Sequence, residues 1–297
     1  MTTVETTQPV PTAAPKKSGR LRRWLVPGVL TAVAIAWLVP TLGLFITSFK
    51  SRAASSQFGW WQIWKGGWTL DNYNEVLFSP DLPPPGFSDN FINTIIITIP
   101  ATIFPILIAA IAAYAFAWLD FPFRNWIFLG VIALLIVPLQ VTWVPVLKIF
   151  NTFGLTGTFP GIWLVHTGYG LAFAIFLLRN FMADIPKDLI ESARIDGATD
   201  VKIFTRIVLP LSLPAIAALA IFQFVWVWND LMNALIFLQS PDKFPLTVGI
   251  RNLLGQYGNE WNLLSAGAFV SMIVPLFVFF ALQRYFVRGL TAGAVKG

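Results

Sequence analysis

The sequence predicts an all-α membrane protein with six transmembrane helices, on three observations. Of its 297 residues, 56% are hydrophobic and only 11% are charged, against roughly 25% charged in ordinary soluble domains. The apolar residues gather into six runs near residues 24–47, 91–117, 126–147, 160–179, 212–237 and 264–286, each close to the ~20 residues that carry a helix across a bilayer core. Lys and Arg are also shared unequally between alternate connecting segments.

Residues 1–23, "MTTVETTQPVPTAAPKKSGRLRR", are Thr-, Pro- and Ala-rich with a basic end and no apolar period. They read as a disordered tail, with the membrane domain following over 24–297. The first apolar run is too long for the 7–15-residue core of a signal peptide and has no clear small-residue cleavage site after it, so it reads as an uncleaved first span. Several runs contain proline (Pro27, Pro40, Pro100, Pro105, Pro138, Pro145, Pro275). Membrane helices tolerate it where neighbours take up the freed backbone groups.

With the N-terminus inside, fourteen of the 20 Lys and Arg fall on the inner side, and only Lys50, Arg52, Lys65, Lys148, Lys243 and Arg251 fall outside. The positive-inside rule then predicts that both termini are cytoplasmic. The net charge of +6 is thus a topology signal, and no nucleic-acid partner is expected, because no connecting segment is large enough to fold into a basic face. Outside, Trp60, Trp61, Trp64, Trp68 and Trp261 fit an interfacial aromatic belt, with a sugar-stacking surface as the alternative.

The longest inner segment after the tail runs over 180–211. In "DIPKDLIESARIDG", Asp184 is placed to cap a helix and Pro186 to sit in its first turn. Leu189, Ile190 and Ala193 share one face and Lys187, Asp188, Glu191 and Arg194 the other. Gly197 falls where a helix stops. A second short helix follows, capped by Thr199 or Asp200, with Val201, Phe204 and Val208 on its apolar face and Pro210 closing it. Its polar face mixes acids with bases, unlike the basic face of a helix that lies on lipid, so the pair reads as a protein-docking element.

This stretch resembles a known family. "ESARIDGA…LPLSLP" is similar to the EAA motif, approximately EAA-x3-G-x9-I-x-LP, of permease subunits of binding-protein-dependent ATP-binding-cassette importers. Glu191, Ala193, Gly197, Ile207, Leu209 and Pro210 fall on the pattern, with Ser192 in place of an alanine. The tail "QRYFVRGLTAGAVKG" resembles the carbohydrate branch related to the maltose permease subunits. The resemblance implies that Glu191, Ala193, Asp196, Gly197, Leu209 and Pro210 belong to a coupling helix that fits a cleft in a cytoplasmic ATPase. It also implies a bacterial cytoplasmic membrane, a second homologous permease subunit, two ATP-binding-cassette ATPase subunits and an extracytoplasmic solute-binding protein. No cofactor is expected in this chain, since ATP and Mg would sit on the ATPase subunits.

The sequence itself contains no G-x4-G-K-[ST] phosphate loop and no paired-carboxylate, zinc-spacing or nucleophile-elbow constellation. His166, the only histidine, reads as a hydrogen-bonded bundle residue. Asn229 and Asp230, with Trp226 in "FVWVWNDLMNALIFL", interrupt the fifth run, where charge is expensive unless it faces a cavity or partner. Two readings stand: these residues line a path for sugar hydroxyls, or they form a cap within the bundle. An ion-driven secondary transporter is the alternative function, and it would need Asp230 or a similar carboxylate to carry the coupling ion.

Overall fold

The computed structural model describes residues 20–80, 86–256 and 260–294; residues 1–19 of the expected tail lie outside them. Helix dominates the described residues, and their one β contact is an isolated bridge between Lys50 and Trp68. In chain order the helices are α1 (Arg20–Ser48), α2 (Arg52–Gln57), α3 (Asp71–Phe78), α4 (Phe87–Trp118), α5 (Arg124–Leu134), α6 (Leu139–Thr152) and α7 (Phe159–Ala183). They continue with α8 (Lys187–Ile195), α9 (Asp200–Ile203), a π-helical turn over Phe204–Val208, α10 (Leu209–Leu211), α11 (Leu213–Trp228), α12 (Met232–Phe237), α13 (Leu246–Gln256) and α14 (Trp261–Ala294).

Among the described residues, four helices are long and apolar enough to cross a membrane: Trp24–Ser48, Phe87–Trp118, Phe159–Ala183 and Trp261–Gln283. The expected third and fifth runs are not straight helices. The third breaks between α5 and α6, which lie at 100° to each other. The amides of Leu135, Ile136 and Val137 each bond three residues back, tightening the last turn, and Pro138 can neither donate nor let Val137 stay helical. The fifth meets the segment before it at 70° beside Ser212 and ends at Trp228. If each bent pair makes one span, the total rises to six.

The molecule is built on α4 and α7, its most extensive helix pairing. Ala109 and Ala113 of α4 and Ala174 of α7 are at most 1% exposed, and small side chains let helix backbones approach closely in a membrane. The helix α11 lies across both, α14 packs on α11, and the largely exposed α1 leans on α14. A proline inside a helix leaves the carbonyl four residues back without an N–H donor. For three of the six such prolines among the described residues, Pro100, Pro105 and Pro275, that carbonyl finds a side chain from another helix. Trp163 of α7 donates to Ile96 O at 2.9 Å, opposite Pro100. Gln223 of α11 donates to Ala101 O at 3.1 Å, opposite Pro105. Trp228 donates to Ser271 O at 3.1 Å, opposite Pro275.

Candidate functional site

At one end of the bundle, the α8–α9 loop is a rigid corner. The helix α8 ends at Ile195, with Asp196 as its cap, and is closed by Gly197, whose φ of +78° is the left-handed conformation that glycine adopts without steric cost. Gly197 N–H bonds Arg194 O at 3.0 Å and Ala198 N–H bonds Ala193 O at 2.9 Å, the paired closure of a Schellman motif. Thr199 caps α9, its Oγ1 accepting from Lys202 N–H at 3.4 Å. Ile190 and Ile203 are fully buried against Ala110, Ala113, Leu178 and Met182 at the ends of α4 and α7. On the opposite side Ile195 and Val201 are 86% and 72% exposed. Glu191 pairs with Lys187 at 2.8 Å, a contact that raises the Lys187 pKa. Asp196 and Pro210 are exposed, and Ala193 and Leu209 are half-buried in the core cluster below.

Three details of this segment differ from the sequence expectation. Asp184 sits at the end of α7, and α8 begins after Pro186, because α7 runs on to Ala183 and leaves only a short connection. Pro210 does not close the second helix: the chain stays helical to Leu211 through the π-helical turn. Val201 points away from the buried face, which Val208 and Phe204 help to fill as expected, with Ile203 in place of Val201.

Toward the opposite end, the break after α11 gathers polar groups. Asp230 caps α12: Oδ1 accepts from Asn233 N–H at 3.3 Å and Asn233 Nδ2 at 3.1 Å, and Oδ2 accepts from Ala234 N–H at 3.1 Å. Its Oδ2 also lies 3.6 Å from Nε2 of His166, which is buried in α7. Trp226 packs edge-on against the His166 ring at 5.2 Å. Trp143 of α6 donates to Asn233 Oδ1 at 3.1 Å, so a polar chain joins α6, α12, the α11 break and α7. Asp230 and His166 face Thr94 and Thr98 across a recess of about 10 Å³, which holds about one water. Two buried atoms here, Thr98 Oγ1 and His166 Nδ1, have no hydrogen-bond partner among the described residues. Asn229 is exposed and turns away, its Nδ2 bonding Val225 O at 2.8 Å. Asp230 and Trp226 thus converge on His166, and Asn229 does not.

His166 is the partner that sequence reading missed. Its signal was available, since it is the one histidine of the chain and sits in an apolar run. Only the packing of α7 against α11 brings it to Asp230.

Beyond this recess, the tryptophan-rich segment is ordered by a buried lysine. Lys50 is 2% exposed, and its Nζ donates to Gly59 O at 3.0 Å and Gln62 O at 3.1 Å; burial pulls its pKa below the ordinary value. Trp60 lies over Gly43 of α1, where an added Cβ would come within 3.1 Å of the indole. Arg52 is ion-paired with the buried Glu260, and Asn72 accepts from Asn262 Nδ2 at 2.8 Å. The first and last segments on this side are thereby joined. Trp61, Trp64 and Trp68 remain more than half exposed, as an interfacial belt requires.

These features define a helical bundle with membrane-length apolar helices, in which an exposed corner and a buried polar recess lie toward opposite ends of one helix pair. The chain belongs to the family described as binding-protein-dependent transport system inner membrane component, which it matches over residues 105–292. It is therefore a transport component, and in such systems ATP hydrolysis resides in partner subunits. It is 51% identical, over 90% of both chains, to the osmoprotective compounds uptake permease protein GgtD of Synechocystis. It is 53% identical to the alpha-glucoside transport system permease protein AglG of Rhizobium meliloti, over 77% of this chain and 60% of that protein. The trehalose transport system permease protein SugB of Mycobacterium tuberculosis is 33% identical over 91% of this chain and 96% of its own length. A crystal structure of a bacterial ABC transporter that imports alginate shares the fold, with a TM-score of 0.75, 23% identity, and 93% of this chain and all of that chain covered.

Proposed function

We propose that the chain is one of two permease subunits of an ATP-driven carbohydrate importer, and that it crosses the membrane six times with both termini cytoplasmic. The α8–α9 loop is its coupling helix and takes the motion of a cytoplasmic ATPase. The observation that carries this reading is the exposed apolar tip made by Ile195 and Val201 on a corner that is otherwise bound down by Ile190 and Ile203. Exposed aliphatics on a rigid edge are costly in water and suit a groove in a protein. The motif residues Glu191, Ala193, Asp196 and Gly197 lie in α8 or just after it, and Leu209 and Pro210 follow in α10, which supports the reading.

The carbohydrate assignment draws on relatives whose names specify alpha-glucosides and trehalose. A second permease subunit completes the pathway, since α5 and α6 bury none of their residues within this chain. Between them and α7 a groove of about 410 Å³ carries Tyr169, hydrogen-bonded to Thr142 at 2.9 Å. Two ATPase subunits lie beneath and a solute-binding protein above. Asp230, with Trp226 and His166, lines the solute path near its outer end. Closure of the ATPases drives the two permeases between inward- and outward-open states around this region.

The test is uptake into vesicles reconstituted with the purified native complex and a panel of labelled sugars. Uptake should require internal ATP and the solute-binding protein, and should persist with a protonophore present while ATP is held constant. Abolition by the protonophore under those conditions would favour the ion-driven alternative.

A further inference from the structure

We propose that Arg194, Asp200 and Tyr114 form a positioning clamp that fixes the α8–α9 loop to the end of α4. A push on the loop then moves α4 directly, while the chain yields beyond Phe204. This rests on the coupling role argued above.

Arg194 lies in the last turn of α8, and its Nη2 donates to Trp118 O at 3.1 Å and to Asp200 Oδ1 at 3.3 Å. That carbonyl is among the last four of α4, which have no partner within their own helix, and the negative end of the helix dipole favours a cation there. Tyr114, one turn earlier on the same face of α4, donates its hydroxyl to the same Asp200 oxygen at 3.3 Å, and its ring packs on Phe204 at 5.2 Å. Asp200 is the first residue of α9. Three side chains therefore tie the ends of α8, α9 and α4 together. Trp118 extends the connection to α7 by donating its Nε1 to Met182 O at 3.1 Å.

The other exit from the loop is built differently. Phe204–Val208 is π-helical and the chain then bends by 70° beside Ser212, and both features are places where helices change direction. The loop is thus bound tightly to α4 and α7 and compliantly to α11.

Stability alone gives this cluster little purpose. The Arg194 and Asp200 side chains are about half exposed, and ion pairs in such settings add little to folding. What the guanidinium adds is geometry: the two hydrogens of its Nη2 lie in fixed directions in one plane and meet the two acceptors, whereas an ammonium rotates freely on its stem. Arg194 is therefore a positioning residue and touches neither solute nor nucleotide.

The test uses the full complex in vesicles, with Arg194→Lys, Arg194→Ala, Asp200→Ala, Tyr114→Phe and the Arg194→Ala/Asp200→Ala double variant. ATPase subunits should co-purify with every variant. Solute moved per ATP should fall several-fold in Arg194→Ala and Asp200→Ala and partly in Arg194→Lys and Tyr114→Phe, with the double variant no worse than the worse single one, because the two residues act as one unit. An unchanged transport-to-ATP ratio in Arg194→Ala would overturn the clamp, as would additive losses. Loss of the ATPase from Arg194→Ala would overturn it too, by placing the guanidinium in the docking surface. Ile195→Asp, at the exposed tip, separates the two ideas. If it weakens ATPase retention while the clamp variants are silent, only the clamp fails; if it is harmless, the coupling reading fails with it.

Discussion

Gln223 donates from Nε2 to Ala101 O at 3.1 Å, and that carbonyl lacks a helical donor because Pro105, four residues on, has no N–H. Gly170 of α7 makes room for the contact, since a Cβ there would stand 2.7 Å from Gln223 Oε1. One amide thus joins α4, α7 and α11 deep in the bundle. Gln223→Leu should lower the stability of the detergent-purified protein by about 1–3 kcal/mol, the cost of an orphaned buried carbonyl. Adding Pro105→Ala to that background supplies the missing N–H and should recover much of the loss. Thermal unfolding of the two variants decides it, and no recovery would mean that the amide matters for another reason.

Asp230 caps α12 and is proposed to line the solute path, and a pair of variants separates the two roles. Asp230→Ala removes the α12 cap and should cost about 1 kcal/mol of stability together with uptake. Asp230→Asn keeps an oxygen to cap α12 but loses the charge beside His166, so it should remain stable and still transport poorly. Wild-type uptake by a stable Asp230→Asn protein would make the residue a cap alone.

The lysine beneath the tryptophan segment predicts a local effect. Lys50→Met fills the same space but leaves the Gly59 and Gln62 carbonyls without their donor, so the segment should loosen. Trypsin cleavage after the exposed Lys65 should quicken in right-side-out vesicles, while the membrane helices stay protected. An unchanged cleavage rate would show that the β bridge and the Arg52–Glu260 pair suffice.

Orientation has its own check. Thr199 and Ser56 are both exposed and are expected on opposite sides of the membrane. In intact cells a membrane-impermeant thiol reagent should label Ser56→Cys and spare Thr199→Cys. Labelling of the second from outside would reverse the topology.

The sequence carried the regular parts of this fold well and the breaks poorly. The straight apolar runs became α1, α4, α7 and α14, and Gly197 marked the end of α8, because hydropathy and left-handed glycine are local properties. Pro138 was visible in its run, yet proline is tolerated in membrane helices, so nothing local announced a 100° bend rather than a kink. Asp230 was legible as a charge out of place. Its pairing with His166, like the meeting of Arg194 with Trp118 and of Tyr114 with Asp200, depends on helix packing that brings distant positions together and leaves no periodic trace.

The most direct measurement of the central claim is stimulated ATPase activity and transport by the reconstituted complex carrying Gly197→Val. An added Cβ at Gly197 meets open space, so the substitution acts through its φ of +78° alone, where a β-branched residue is strained by about 1–2 kcal/mol or more. Gly197→Asn, which tolerates that conformation, serves as the control. The account predicts that Gly197→Val loses ATPase retention or uncouples hydrolysis from sugar uptake while Gly197→Asn largely keeps both. Full ATPase retention and fully coupled transport in Gly197→Val would contradict it.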